Sequence, residues 1–588
     1  MSATDSQHDG PPAALLRDPR GTGWLAFEQV TETLVAPTPA EVRGVLERAQ
    51  QATDAGQWAA GYVGYEAAPA FDPALVVRAS SPLPAAWFVV TDAPAVVAEQ
   101  DLPRAGSFDI GGLHPTLTEA EHARGVRRIQ DWISRGETYQ VNFTHQLQSG
   151  FEGDPWGLFL SLWHNQRSDH AAWLDLGDQA ICSASPELFF ELDGERVVSR
   201  PMKGTAARGR STTEDRFQAE ELAESAKNRA ENVMIVDMIR NDLARIAKPG
   251  SVSTCSLFDV ERYPSVFQLT STVEAQTEAT VVEIFDALFP CASITGAPKI
   301  NTTRLIHELE PHPRGVYTGA VGFMAPDRQA RFNVAIRTAT IDRRRGELSY
   351  GVGGGIVWDS EPEAEHRECL DKARVLTAPR PEFELLETLL WKPEAGYALL
   401  ARHLSRLADS AEYFGFAFDR DAVHDSIVAA AAQWQDSRRV RLTLTENGDA
   451  TVTSEPLAPF PSPMRLAVAS SAVDSSDPFL FHKTTHRGIY DRARREHPAA
   501  DDVLLWNERG ELTETTLANV VVDIGGRRFT PPVSCGLLAG VQRGELLAGG
   551  EITERVIRLE ELESSPVVHL VNSVRGWIAA ELAPPPTG

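Results

Sequence analysis

Residues 351–373 read GVGGGIVWDSEPEAEHRECLDKA, a glycine-rich run leading straight into a charged segment. The stretch 348–360 is expected to form a strand interrupted by glycines, and 361–378 a helix. Gly351, Gly353, Gly354 and Gly355 would let the backbone approach a ligand closely and aim N–H groups at an anion. Glu365, Glu368 and Lys372 are spaced by three and four, so a helix presents them on one face. In isolation such a face is an ordinary solvated one carrying a Glu–Lys pair. Directly after the glycine run, two carboxylates and an ammonium make a site for a dicarboxylate held beside Mg2+, an ion that favours a few carboxylates plus substrate oxygens.

Toward the N-terminus, residues 118–135 read as a helix, with Thr118 and Glu121 forming a capping box and Gly136 closing it. A second long helix is expected from Asp215 to Ala247, stopped by Pro249-Gly250. Residues 1–115 read as strands and loops of a larger mixed fold. Toward the C-terminus, Ala378-Pro379-Arg380-Pro381 has two prolines in three residues, which block helix and strand alike. The pattern then restarts with the strand-like FELLETLLW (383–391) and a helix over ALLARHLSRLADSAEYFGF, followed by strands such as VRLTLT and LANVVVDI alternating with short helices. The expected fold class is therefore α/β (α+β), with one domain over 1–378, a linker over 379–382 and a second domain over 383–588.

A chain of 588 residues is too long for one compact core. Its formal net charge of -26 disfavours nucleic acid and anionic membrane as partners, since either needs clustered Lys and Arg. An anionic small substrate is not excluded, because a site can be locally positive or carry a metal. The five cysteines are scattered, odd in number and without a C-x-x-C pair, which argues against a disulfide framework or a structural zinc site. With no apolar leader in the first dozen residues and no apolar run of membrane-span length, a cytoplasmic location is expected.

Seven stretches follow one another in the order found in chorismate-utilising enzymes: SPELFF (185–190), RPMKGT (200–205), AENVMIVDMIRNDL (230–243), SITGAPK (293–299), RGVYTGAVGF (314–323), VAIRTAT (334–340) and the 351–373 segment. The N-terminal half resembles that family, which includes anthranilate synthase large chains, aminodeoxychorismate synthases and isochorismate synthases. The resemblance implies two opposed β-sheets around a central site, with chorismate as substrate. It further implies that Glu231, Glu365 and Glu368 hold Mg2+, and that Arg337, Tyr317, Lys372 and the backbone at Gly353 and Gly354 bind substrate carboxylates. Thr295 would shape the pocket, and Glu187 would be the general acid.

The sharpest residue is Lys203. Anthranilate synthases resemble P-I-A-G-T here and aminodeoxychorismate synthases P-I-K-G-T, whereas this chain has Pro201-Met202-Lys203-Gly204-Thr205. The implied chemistry is attack of Lys203 on C2 of chorismate, loss of the C4 hydroxyl, then addition of ammonia at C4 with expulsion of the lysine. One departure is Gln268, in Val266-Phe267-Gln268-Leu269, where many members carry histidine. No cysteine lies in a nucleophile-elbow setting, so ammonia would come from solution or from a separate glutamine amidotransferase.

The C-terminal half resembles fold-type IV pyridoxal phosphate enzymes through HKTTHRGIYDRAR (482–494), LTETTLANVVV (512–522), CGLLAGVQRGELL (535–547) and LVNSVRGW (570–577). That group includes branched-chain and D-amino-acid aminotransferases and aminodeoxychorismate lyase. The resemblance implies pyridoxal 5'-phosphate as cofactor, with Lys483 as its lysine and as catalytic base. Glu514 would face the pyridine nitrogen, and Arg406, Val541 and Gln542 the phosphate, although members often carry threonine at the last position. Asn572 and Ser573 would face the substrate, and a homodimer through this domain is expected. Together the halves imply synthesis of 4-aminobenzoate, a folate precursor. The alternatives are an anthranilate or isochorismate synthase-like first half, and a second half that is an aminotransferase or a silent scaffold.

Overall fold

The computed structural model describes residues 10–21, 23–78, 81–563 and 567–583. The chain divides into two compact units, Met1–Ala207 with Ala219–Arg380, and Arg208–Gln218 with Pro381–Gly588. The sequence reading kept Arg208–Gln218 with the N-terminal half, but its side chains are anchored inside the second unit. Arg208 makes a double ion pair with Asp215 at 2.7 Å and donates to the Tyr413 carbonyl, while the Tyr413 hydroxyl donates to the Gly209 carbonyl at 2.7 Å.

Among its described residues, the first unit is built on an eleven-stranded and a ten-stranded sheet. The two pack against each other across a core that includes Leu16, Phe27, Tyr62, Trp87 and Phe323. The strand Glu347–Ile356 pairs antiparallel with Gln140–Gly153, from Glu347 opposite Gly150 to Ile356 opposite Val141. The glycines therefore do not interrupt this strand, as had been expected. They thin it: a Cβ on Gly351 would lie 2.1 Å from the Tyr317 ring, and one on Gly355 would lie 2.4 Å from Lys203 Nζ. Side chains from outside the sheet come to rest on bare backbone.

The helix Pro362–Thr377 follows at once, and Glu119–Ser134 is another helix. The Thr118 hydroxyl accepts from the Glu121 N–H at 3.3 Å, and Glu121 accepts from the Thr118 N–H at 2.9 Å. Such a cap stabilises a helix by about 1 kcal/mol. The single helix expected over 215–247 is two, Thr212–Glu224 and Ala226–Ala244. Ser225 divides them because its hydroxyl accepts from the Asn228 N–H and caps the second. In residues 1–115 the reading of strands and loops missed the helix Pro39–Asp54, which buries Val42, Val45, Leu46 and Ala49 as one stripe.

Among its described residues, the second unit holds a four-stranded sheet that includes Leu385–Lys392 and Arg438–Leu444, and an eight-stranded sheet that includes Leu512–Thr515, Asn519–Ile524 and Val567–Asn572. The amphipathic helix Leu400–Phe414 buries His403, Leu404, Leu407 and Ala411, and ends at Gly415 with φ 77°. Among the described residues no helix is long and apolar enough to cross a membrane.

Candidate functional site

The first unit encloses a cavity of about 320 Å³ whose floor is the glycine strand Gly351–Gly355. Glu187, Lys203, Glu231, Tyr317, Arg337, Glu365, Glu368 and Lys372 all line it, as do Gly353 and Gly354. Helix periodicity accounts for part of this convergence. Glu365, Glu368 and Lys372 share a face of one helix, while Lys227, Asn228 and Glu231 share a face of Ala226–Ala244.

Burial pushes the Glu187 carboxyl up to about 7, against the opposing pull of the Ser293 hydroxyl, which donates to Oε1 at 2.6 Å, and of the Lys203 charge. Lys203 is lowered from its ordinary value, first by burial and then by the neighbouring Lys372 ammonium; Glu231, Glu187 and Glu368 oppose the shift. Burial also raises Glu365, with the Glu368 charge adding to it, whereas Lys372, 2.7 Å away, holds Glu368 low. Lys372 also donates to the Gly353 carbonyl at 2.8 Å. Arg337 reaches the Lys372 carbonyl and has a backbone φ of 51°, a left-handed conformation costing about 1 kcal/mol that aims its side chain into the cavity.

Thr295 does not line the cavity. Its hydroxyl donates to the Cys291 carbonyl at 2.7 Å and braces the turn that presents Ser293 and Ile294. Ser293 is the residue the sequence reading missed there, although it stands in the same SITGAPK motif. Gln268 does line the cavity, and its side-chain carbonyl accepts from the Thr205 hydroxyl at 3.1 Å. The three proposed metal carboxylates share the cavity wall, but their oxygens are not gathered into one set within 4.8 Å. All-oxygen donors on two facing helices fit a hard ion such as Mg2+, which retains water and substrate oxygens in its shell.

The second unit holds a separate cavity of about 410 Å³, lined by Arg406, Lys483, Glu514, Val541, Asn572 and Ser573. Burial lowers Lys483 to about 8, helped by the Arg406 charge and opposed by Glu387. Burial raises Glu514 to about 7, although it accepts from the Tyr490 hydroxyl at 2.8 Å and the Asn519 amide at 3.2 Å. Arg406 is clamped by both oxygens of Glu387, at 2.8 and 2.7 Å, and Glu387 is itself bound to His403 at 2.6 Å. Gly540 stands at the start of the helix Val541–Ala548, and a Cβ on it would fall 1.8 Å from Asn519 Oδ1. That close fit of helix N-terminus, arginine and lysine suits a phosphorylated aldehyde cofactor.

Gln542 lies outside this cavity, so its backbone neighbours Gly540 and Val541 carry the helix end. Asn572 is turned inward on its own loop, accepting from the Val574 and Arg575 N–H groups at 3.1 and 2.8 Å. Ser573 donates weakly to the Thr388 carbonyl at 3.4 Å. The sequence reading missed Tyr490 and the Glu387–His403 pair. Their signals were faint: a tyrosine seven residues after Lys483, and a lone glutamate in an apolar strand.

Residues 11–378 match the family model of chorismate binding enzyme, and residues 384–582 match that of amino-transferase class IV. The aminodeoxychorismate synthase component 1 of Salmonella typhimurium is 41% identical over 265 residues, 45% of this chain and 58% of the relative. The anthranilate synthase component 1 of Thermus thermophilus is 39% identical over 257 residues, 43% of this chain and 55% of the relative. The chain thus spans just over half the length of these curated relatives. The structure of anthranilate synthase component I from Streptococcus pneumoniae is 23% identical, with a TM-score of 0.51, covering 63% of this chain and 91% of that one, a likeness of fold.

Proposed function

The chain belongs to the chorismate binding enzyme family, and from that premise we propose that it makes 4-aminobenzoate in two steps, aminating chorismate at C4 and then eliminating pyruvate. Overall identity does not separate the synthase types, since relatives of both names stand near 40%. The observation that carries the reading is the Lys203 ammonium, lying over Gly355 in the cavity with its pKa lowered by burial. Lowering the pKa of an amine favours its neutral, nucleophilic form, and an alanine at this position would leave no amine.

In the first step Arg337, Tyr317, Lys372 and the Gly353–Gly354 backbone orient the substrate carboxylates. Glu231, Glu365 and Glu368 would hold Mg2+, which supplies charge stabilisation at the departing C4 oxygen when bound. Lys203 Nζ forms a bond to C2, both ring double bonds shift by one position, and the C4 hydroxyl leaves as water with a proton from Glu187. Ammonia then bonds to C4, the two double bonds shift back, Lys203 departs from C2 as the free amine, and the surplus proton on the new C4 nitrogen returns to Glu187. A separate glutamine amidotransferase is proposed as the source of ammonia.

In the second step Lys483, Glu514, Arg406 and the Gly540–Val541 helix end would hold pyridoxal 5'-phosphate, which supplies an electron sink when bound. Glu514 would face the ring nitrogen and favour its protonated form, Lys483 would move the proton from substrate C4, and the C3 enolpyruvyl group would take up a proton and leave as pyruvate. A cytoplasmic location and a homodimer through the second unit belong to the same proposal. The test is to incubate the protein with chorismate, ammonium and Mg2+, with and without pyridoxal phosphate, and identify products by mass. 4-Aminobenzoate and pyruvate are expected only with the cofactor, and 4-amino-4-deoxychorismate without it. Anthranilate or isochorismate as the main product would sink the first assignment. Glutamate formation from 2-oxoglutarate, without pyruvate release, would sink the second.

A further inference from the structure

The helix Pro362–Thr377 carries a second set of donors, each one residue on from a carboxylate facing the cavity and so about 100° round the helix. These are His366 and Cys369. Against them lie His122, from the helix Glu119–Ser134, and His145, from the strand Gln140–Gly153. Donor atoms of His122, His145 and Cys369 all fall within 4.8 Å of one another. The His366 ring lies 5.3 Å from that of His122 and 6.2 Å from that of His145.

All four residues are buried, with exposures of 1% for His122, 5% for His145, 8% for His366 and 1% for Cys369. Both ring nitrogens of His122 and of His145, and Nδ1 of His366, have no hydrogen-bond partner. Each buried polar atom left unpaired costs about 1–3 kcal/mol. Orphaned imidazole nitrogens collected at one point, beside a thiol, are what a borderline-soft metal ion satisfies. Carboxylates, the ligands of a hard ion, are missing from this group, so its chemistry differs from that of the cavity on the other face of the helix.

We propose that His122, His145 and Cys369, completed by His366, bind one zinc-like divalent ion that fastens the helix Pro362–Thr377 to the helix Glu119–Ser134 and the strand Gln140–Gly153. Zinc–nitrogen and zinc–sulfur bonds of about 2.0–2.3 Å set tetrahedral donor separations of roughly 3.3–3.8 Å, so the group closes by about 1 Å on binding. The Cys369 thiol proton goes to solvent as the sulfur takes the metal. The ion would thus hold in place the helix that presents Glu365, Glu368 and Lys372 to the cavity. The proposal departs from the expectation from cysteine spacing alone, which argued against a structural zinc site.

The test uses the whole chain in excess Mg2+, so that the carboxylate site is saturated, with Co2+ and Zn2+ as probes. One Co2+ per chain is expected, with a tetrahedral visible spectrum and a thiolate-to-cobalt charge-transfer band in the near ultraviolet. Cys369→Ser should abolish that band, and His145→Gln should weaken metal affinity by at least about tenfold. Zn2+ should raise the Tm of the unsubstituted protein but not of His145→Gln. Absence of bound cobalt, bound cobalt without the thiolate band, or equal metal retention in the unsubstituted protein and both variants would each overturn the proposal. Should the variants fail to fold, the band in the unsubstituted protein alone decides, by its presence or absence.

Discussion

At Lys203 one side chain separates two chemistries. Its amine lies over Gly355, where burial lowers its pKa first and four charged neighbours, Glu231, Lys372, Glu187 and Glu368, modulate it. Lys203→Ala removes the proposed side-chain nucleophile, so formation of 4-amino-4-deoxychorismate should fall by at least about a hundredfold. Ammonia then has direct access to C2, and any residual product should carry nitrogen there. Mass and retention time of the product read both effects, and undiminished C4 amination would refute the covalent role. Glu187 gives a second prediction. Its carboxyl is pushed up to about 7, so the protonated form is present below that pH and is lost above it. Loss of the C4 hydroxyl should therefore slow as pH rises through about 7, once rates are corrected for the fraction of free ammonia. Glu187→Gln should abolish that limb of the kcat profile. If the limb persists in the variant, another group is the acid.

Among the elements, the strand Leu385–Lys392 and the helix Leu400–Phe414 are tied by Glu387, which binds His403 and Arg406. Burial alone would raise this carboxyl, but Arg406 and His403 more than reverse it and bring it from 4.5 to about 2. A depressed folded-state pKa contributes stability that is complete above the ordinary value and lost as pH falls through the folded one. The window is therefore pH 4.5 down to 2, and the loss is about 3 kcal/mol across it. Denaturant midpoints for the second unit should drop over that interval, and Glu387→Gln should lower stability at pH 7 while flattening the drop. An unchanged acid profile in the variant would contradict the linkage. This element also marks the limit of what the sequence makes legible. Local signals were readable: the Thr118–Glu121 cap, the Pro379–Pro381 break, and the three-and-four spacing of Glu365, Glu368 and Lys372. The Glu387 clamp was not, because its partners stand sixteen and nineteen residues away. Ser225 was read as helix interior because its cap depends on a single hydroxyl. The glycine run was read as an interruption because nothing in the sequence says that Tyr317 and Lys203 press on that strand. Thr295 lay in the right motif but on the wrong side of its turn.

Over the whole molecule, each cavity is lined entirely by residues of its own unit, Asn142–Lys372 for the first and Leu386–Arg575 for the second. Among the described residues no side chain lines both, so the two chemical steps should be separable by single substitutions. Lys483→Ala should leave consumption of chorismate within about twofold of the unsubstituted protein, since substitutions that share no partner with a site usually act independently of it. Its product should be 4-amino-4-deoxychorismate, accumulating without pyruvate. Lys203→Ala should show the reverse: little or no 4-amino-4-deoxychorismate from chorismate, but normal release of pyruvate and 4-aminobenzoate when 4-amino-4-deoxychorismate is supplied. Mixing the two variants should restore 4-aminobenzoate from chorismate, because the intermediate made by one is the substrate of the other. A long lag before 4-aminobenzoate appears is expected in the mixture, as the intermediate builds up in solution. Failure of the mixture, with each variant active in its own half-reaction, would mean that the intermediate does not reach the second site through solution. Pyruvate release by Lys483→Ala at the full rate would remove the second cavity from the reaction altogether.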